Sequence, residues 1–252
     1  MKLSFENGDC YFNECIEVMG TIPDSSVDMI LCDLPYQVTA RQKWDIIIPF
    51  EQLWQSYKRI AKPNAAIVLF ATEPFRTKLI SSNYDMFKYD IIWEKNKTTG
   101  FLNAKKCPLR KHESILVFYD KQPVYNPQKT TNHKPVNAFT HHNGANTLIY
   151  GKTKSGIKGG GQTDRYPTSV IKFDVVNNDS KEKFHSAQKP LPLFEWLIKT
   201  YSNEGELVLD NCAGSFTTAI AAINTNRKFI CIENDKNYFD LAMNRIENCS
   251  KK

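Results

Sequence analysis

The sequence predicts an α/β fold: a doubly wound, mostly parallel sheet with helices on its two faces and one region inserted into it. Three observations lead there. Short apolar runs rich in β-branched residues alternate with stretches of helical periodicity, a small-residue turn joins a strand to a helix late in the chain, and a long middle stretch follows neither period. With 252 residues and 41% hydrophobic content, the chain can bury one substantial core and carry an inserted lobe as well.

The elements follow in order. Val27 to Cys32 (VDMILC) suits a buried strand. Pro49 to Pro63 sets Phe50, Leu53, Trp54, Tyr57 and Ile60 at helical spacing between two prolines, which predicts an amphipathic helix. Ala65 to Ala71 is strand-like, Pro74 to Ser82 reads as a short helix, and Lys88 to Trp93 and Ser114 to Tyr119 are further strands. Asp120 to Thr168 is rich in Asn, Thr, Lys, Pro and Gly and lacks a sustained period, as a functional loop or small lobe would. Regularity returns with a helix over Leu191 to Tyr201, a strand over Glu206 to Asp210, a helix over Thr217 to Thr225 and a strand over Lys228 to Glu233. A last helix carries Phe239, Ala242, Met243 and Ile246 on one face.

Charge is unevenly placed. The net +6 comes from 33 Lys and Arg against 27 Asp and Glu, and residues 121–181 hold nine of the basic and three of the acidic residues, leaving 24 of each elsewhere. The formal excess therefore sits in the pattern-poor segment. The seven cysteines are odd in number and never spaced CxxC, which speaks for reduced thiols rather than a disulfide framework or zinc site. His141 and His142 are adjacent in a polar loop, and His112 and His185 lack an evident partner, so no metal site is expected. No apolar leader and no membrane-length apolar run occur, which makes a cytoplasmic protein without membrane contact the expectation.

Two constellations carry chemistry. In Ile30 to Tyr36 (ILCDLPY) an apolar strand ends on Asp33 and is followed by Leu34, Pro35 and Tyr36. Taken alone, that is also how a strand ends, turns and covers a core edge. The second has the logic of a nucleotide-binding βαβ unit: a strand ending in Asp210, the turn Asn211, Cys212, Ala213, Gly214 and Ser215, a helix, and a strand ending in Glu233. An acid at that distance is placed to accept hydrogen bonds from ribose hydroxyls, although Gly214 alone remains of the dinucleotide glycine fingerprint.

Together, DLPY and LDNCAGSFTTAIAA resemble the catalytic and cofactor motifs of the amino-group DNA methyltransferases, in the order of that family's beta class. Gly8-Asp9-Cys10, IIWEKN (Ile91 to Asn96), HESILVF (His112 to Phe118), RYPTSVIKF (Arg165 to Phe173) and HSAQKP (His185 to Pro190) fit the same pattern. The resemblance implies a seven-stranded, Rossmann-like methyltransferase sheet, with residues 1–120 as the catalytic half, 121–181 as an inserted target-recognition region and 182–252 as the cofactor-binding half. It implies S-adenosylmethionine as cofactor and transfer of its methyl to the N6 amine of an adenine flipped out of double-stranded DNA, within a restriction-modification setting or alone. N4 of cytosine is the alternative acceptor, and a DNA-binding protein that has lost catalysis is a third reading.

By the same resemblance, Asp33 and the Leu34 carbonyl accept hydrogen bonds from the target amine, Pro35 fixes their turn and Tyr36 stacks on the base. Asp9 and Cys10 would lie near the cofactor adenine, Glu233 at the ribose and the turn from Asn211 to Ser215 along the methionine part, with Asp33, Asp210 and Asn234 as further cofactor-binding residues. Gln188 and Lys189 would line the site, with Lys189 near the cofactor carboxylate. Lys129, Lys134, Lys152, Lys154, Lys158 and Arg165 are expected to hold DNA phosphates. A homodimer and a cognate restriction endonuclease are further partners the resemblance admits. The sequence departs from the family where Leu34 replaces a second proline, and where Cys212 and Phe216 replace phenylalanine and glycine. Phe216 is thereby expected to bear on cofactor affinity or helix packing.

Overall fold

A computed structural model describes residues 1–37, 46–141, 146–147, 151–152, 156–177 and 188–249. The chain divides into two compact units, Met1–Asn126 with Ser169–Lys252, and Pro127–Thr168.

The larger unit is built on one sheet. Its elements are β1 (Lys2–Phe5), β2 (Gly8–Phe12), α1 (Cys15–Thr21), β3 (Val27–Cys32), α2 (Phe50–Ile60), β4 (Ala61–Ala71), α3 (Phe75–Ser82), β5 (Phe87–Thr99) and β6 (Arg110–Phe118). After the smaller unit come β11 (Val170–Lys172), α4 (Leu191–Tyr201), β12 (Leu207–Asp210), α5 (Thr217–Asn224), β13 (Lys228–Glu233) and α6 (Lys236–Cys249). The strand order is β1-β2-β13-β12-β3-β4-β6-β5-β11. From β2 to β4 all pairings are parallel, whereas β6 runs against both neighbours and β1 against β2. Among the described residues the sheet has nine strands, not the expected seven. The N-terminal hairpin adds β1 at one edge, and Val170–Lys172 pairs beside Ile92–Glu94 at the other.

Two-residue periodicity sorts the core onto the two faces. Met29 and Leu31 pack with Val68 and Phe70 under α4, α5 and α6, while Ile30 and Cys32 pack with Ile67 and Leu69 under α1, α2 and α3. Strands buried on both faces have to read as continuous apolar runs, and VDMILC and AAIVLFA do. Gly8 is required where β2 meets β13, since a Cβ there would lie 2.1 Å from the Phe229 carbonyl oxygen. Among the described residues, no helix is long and apolar enough to cross a membrane.

The smaller unit has short antiparallel pairings, β7 (Phe139–His141) with β10 (Ile157–Gly159) and β8 (Asn146–Thr147) with β9 (Gly151–Lys152). Thr130 and Arg165 form a bridge near its ends. Lys129 is bound there to Asp164 at 2.7 Å and lies over the Tyr166 ring. The Arg165 guanidinium donates to the carbonyls of Lys134, Gln162 and Asp164.

Candidate active site

In a parallel sheet the strands end together, and their carboxyl ends surround a crevice. Here the ends of β3, β12 and β13 open onto a cavity of about 900 Å³ that both sequence constellations line. Val27 to Cys32 are almost wholly buried and end abruptly on Asp33, which lifts that carboxylate to the cavity wall. Leu34 is buried among Cys32, Tyr57 and Phe75, so its side chain belongs to the core. Pro35 and Tyr36 continue the wall, the Tyr36 ring lying 5.0 Å from that of Phe75.

Asp33 is one member of a buried charge network. The Tyr36 hydroxyl donates to its Oδ1 and the Lys189 ammonium to its Oδ2. Lys189 also lies 3.4 Å from Glu113 Oε2, and Lys95 donates to Glu113 Oε1 at 3.0 Å. Two carboxylates thus share two ammonium groups in a water-poor wall. Burial raises the Asp33 carboxyl above its usual range against the pull of Lys189. Burial works against the Lys189 ammonium too, yet Asp33 and Glu113 together hold its pKa above the ordinary lysine value. For Glu113 the desolvation penalty is outweighed by Lys189 and Lys95, and its carboxyl is lowered. Burial and then Asp33 push Tyr36 well above the usual phenol value, keeping it a hydrogen-bond donor.

Across the cavity, the turn after β12 is held by its own side chains. Asp210 accepts from the Thr218 hydroxyl and, at 3.1 Å, from the Cys212 backbone N–H; burial pushes its carboxyl up to about 7. Asn211 Oδ1 accepts from Tyr57 at 2.5 Å, and the Ala213 N–H is bound to the Ile232 carbonyl at 2.9 Å. Gly214 takes φ +50°, where glycine carries no Cβ penalty, and its N–H donates to Glu233 Oε2 at 2.7 Å. Glu233 Oε1 accepts from the N–H groups of Asn234 (3.0 Å) and Asp235 (2.8 Å). Burial raises this carboxyl, with those three amides opposing the shift.

The structure brings Asp33, Leu34, Pro35, Tyr36, Gln188, Lys189, the turn from Asp210 to Ser215, Glu233 and Asn234 to one cavity. It does not bring Asp9 and Cys10 there. Asp9 is near the start of β2, bound to Ser4 and Lys2, and Cys10 is fully buried in the core; Asn13, Glu14 and Cys15, past the end of β2, reach the wall instead. Phe216, at φ +56° and fully buried, turns away from the cavity onto Phe239 at 5.8 Å, so the departure from glycine is absorbed by the core. Lys134 and Lys158 are exposed in the smaller unit. Lys154 and His185 lie outside the described residues, as does the side chain of Lys152.

Glu113, Lys95, Thr72 and Trp93 also line the cavity; IIWEKN and HESILVF contain three of them, but the sequence assigns no role in the site to any of the four. The signal for Glu113 was an acid opening the apolar run SILVF, where a solvent-facing residue is equally ordinary.

The comparisons with known proteins agree with this geometry. The N6_N4_Mtase family model, described as DNA methylase, matches residues 27–244. The DNA adenine methyltransferase YhdJ of Escherichia coli is 29% identical over 247 residues, covering 90% of this chain and 78% of that protein. The Type II methyltransferase M.HindIII of Haemophilus influenzae is 26% identical over 209 residues, or 75% of this chain, and the match spans 65% of the relative's length. In fold, the chain is similar to the M1.HpyAVI-SAM complex (TM-score 0.63, 22% identity, 94% of this chain and 98% of that one). It is similar also to the PvuII DNA methyltransferase, cytosine-N4-specific (TM-score 0.68, 15% identity, 98% and 92%).

Proposed function

Because the chain belongs to the N6_N4_Mtase family of DNA methylases, we propose that it methylates an exocyclic amine of a base in double-stranded DNA, with S-adenosylmethionine as donor and adenine N6 as acceptor. The observation that carries this reading is that Asp33 and Leu34 face the turn from Asp210 to Ser215 across one cavity. The adenine acceptor is supported by the aspartate that opens DLPY and by the likeness to YhdJ.

The residues fit such a donor. Glu233 accepts three backbone N–H groups, and a carboxylate has about four lone-pair positions, which leaves room for a ribose hydroxyl. Gly214 and Ser215 border the space where the rest of the donor would lie. When bound, S-adenosylmethionine supplies an electrophilic methyl group on a sulfonium.

The chain's own part is to prepare the amine. An exocyclic amine is a poor nucleophile because its lone pair is delocalised into the ring. Asp33 uses one position on each oxygen for Tyr36 and Lys189 and keeps others for an amine proton; the Leu34 carbonyl is the second acceptor. Two acceptors fixed beside the nitrogen favour a tetrahedral geometry and stabilise the positive charge that grows there. Lys189 opposes the rise that burial imposes on the Asp33 carboxyl and so favours its ionised form. The base has to leave the duplex to reach this wall, and Tyr36 offers it a ring.

We assign target recognition to residues 121–181, with Lys134 and Lys158 on phosphates, and a cognate endonuclease as the partner that would share the site. Lys129 and Arg165 are engaged within their own unit, so their part there is to shape it. The test is to incubate the protein with genomic DNA and methyl-labelled donor, digest to nucleosides and separate them. Label in N6-methyladenine is expected. Label in N4-methylcytosine would replace the acceptor, and no label in DNA would remove the reading.

A further inference from the structure

We propose that the loop between β5 and β6 is a second DNA-contacting element, in which Phe101 and Leu102 enter the base stack beside the extruded base while Lys97, Lys105, Lys106 and Arg110 hold the flanking phosphates. The proposal rests on the DNA-methylating reading above.

Strands β5 and β6 run on beyond the apolar cores that define them, to Thr99 and from Arg110, and so carry the loop past the sheet edge. Lys97, Thr98, Thr99 and Arg110 line the cavity, which sets the base of the loop at the rim through which a nucleotide would enter. The tip is a folded turn. The Asn103 N–H donates to the Gly100 carbonyl at 2.9 Å, Ala104 to Phe101 at 3.0 Å and Lys106 to Asn103 at 2.8 Å. Gly100 enters that turn at φ +88°, a conformation that favours glycine.

This ordered tip shows Phe101 at 80% and Leu102 at 98% exposure. A scattered exposed apolar side chain is ordinary. Here two neighbours are held out together by a hydrogen-bonded turn, and apolar wedges of this kind unstack base steps in bent or opened duplexes.

Charge supplies the second argument. Between Glu94 and Glu113 there are six Lys or Arg residues and no Asp or Glu. Lys95 is bound to Glu113 and Lys111 to Glu94. Among the described residues Lys97, Lys105 and Lys106 form no ion pair, and the Arg110 guanidinium donates to the Glu73 carbonyl at 3.4 Å. A basic collar around an apolar tip is complementary to a phosphate-flanked gap in stacked bases.

The test compares the wild type with Phe101→Ala/Leu102→Ala and Lys105→Gln/Lys106→Gln on two short duplexes carrying the mapped methylation site. In one the target base is paired, and in the other it is mispaired and already loosened. S-adenosylmethionine affinity within about twofold of wild type verifies the fold of each variant, and the single Leu102→Ala replaces the double variant if that one fails.

The wedge variant is expected to lose at least about tenfold in methylation rate on the paired duplex and to regain most of it on the mispaired one. The lysine variant is expected to lower the slope of log Kd against log salt by about 2, one phosphate for each charge removed. An equal loss on both duplexes, no loss on either, an unchanged salt slope, or a change of oligomeric mass accounting for the loss would each overturn the proposal. A wild-type protein that methylates neither duplex would overturn the underlying reading instead.

Discussion

Lys189 places its ammonium on the carboxylate of Asp33, from 156 residues away in sequence. The pair joins the turn after β3 to the segment that leads into α4, and Glu113 completes the charge balance from β6. Lys189 thereby works against the rise that burial imposes on the Asp33 carboxyl.

Replacing Asp33 by Ala is expected to lower the methylation rate by about 10² to 10³, the range for losing one well-placed polar group at a reacting centre. Calorimetry should show donor binding largely kept, since Glu233 and the turn after β12 are untouched. Substantial surviving transfer would refute the role of Asp33.

Removing the ammonium with Lys189→Met takes away the largest opposition to the burial of Asp33, so its pKa rises further. An acid that must be ionised then needs a higher pH to act. The acid limb of kcat/KM against pH is expected to move to higher pH in this variant, and an unmoved limb would count against the coupling.

For Glu233→Ala the donor Kd is expected to rise by about 10- to 100-fold, because a hydrogen bond to a charged group contributes about 1.5–3 kcal/mol. Methylation at saturating donor should recover. An unchanged Kd would contradict the ribose assignment.

Phe216→Gly sets two effects against one another. Relief of a left-handed φ is worth about 1 kcal/mol, whereas deleting a fully buried phenylalanine costs about 3–5 kcal/mol. The net expectation is a loss of about 2–4 kcal/mol in urea unfolding with donor Kd nearly unchanged, because the ring faces Phe239 and not the cavity. A tightened Kd would show that the ring crowds the donor after all.

Asp210 has a folded pKa of about 7, above its model-peptide value near 3.8. Between those values the folded state binds more protons than the unfolded one, so this group's contribution falls as pH rises through that window. The comparison with Asp210→Asn isolates it. Plotted against pH, the wild-type urea midpoint should fall more steeply than the variant's between about pH 4 and 7.

The strands and helices of the larger unit were legible because their burial is two-sided or one-sided in a regular period. VDMILC, AAIVLFA and the Leu53, Trp54, Tyr57, Ile60 stripe show it directly. The N-terminal hairpin escaped because Lys2 to Ser4 are exposed and carry no apolar period, and α1 because only Cys15, Val18 and Met19 of its seven residues are buried. The cavity walls were legible wherever a motif marks a strand end, as at Asp33 and Glu233. The rest of the charge network around Lys189 was not, since Lys95 and Glu113 stand in strands where an alternating charge looks like a solvent face. Their meeting depends on β5 pairing with β6, a relation that no local pattern carries.

In the strand order β2-β13-β12-β3, the two inner places belong to strands that the ribosome makes after the others. Until residues 207–233 emerge, the N-terminal hairpin shares no strand with the block β3-β4-β6-β5, and the apolar edge of β3 has no neighbour on that side. An open edge of that kind invites pairing with other chains and slow, chaperone-dependent maturation. A product cut short before Leu207 would therefore be adhesive rather than merely weak, and translation has to pass residue 233 before the two halves of the cavity can meet.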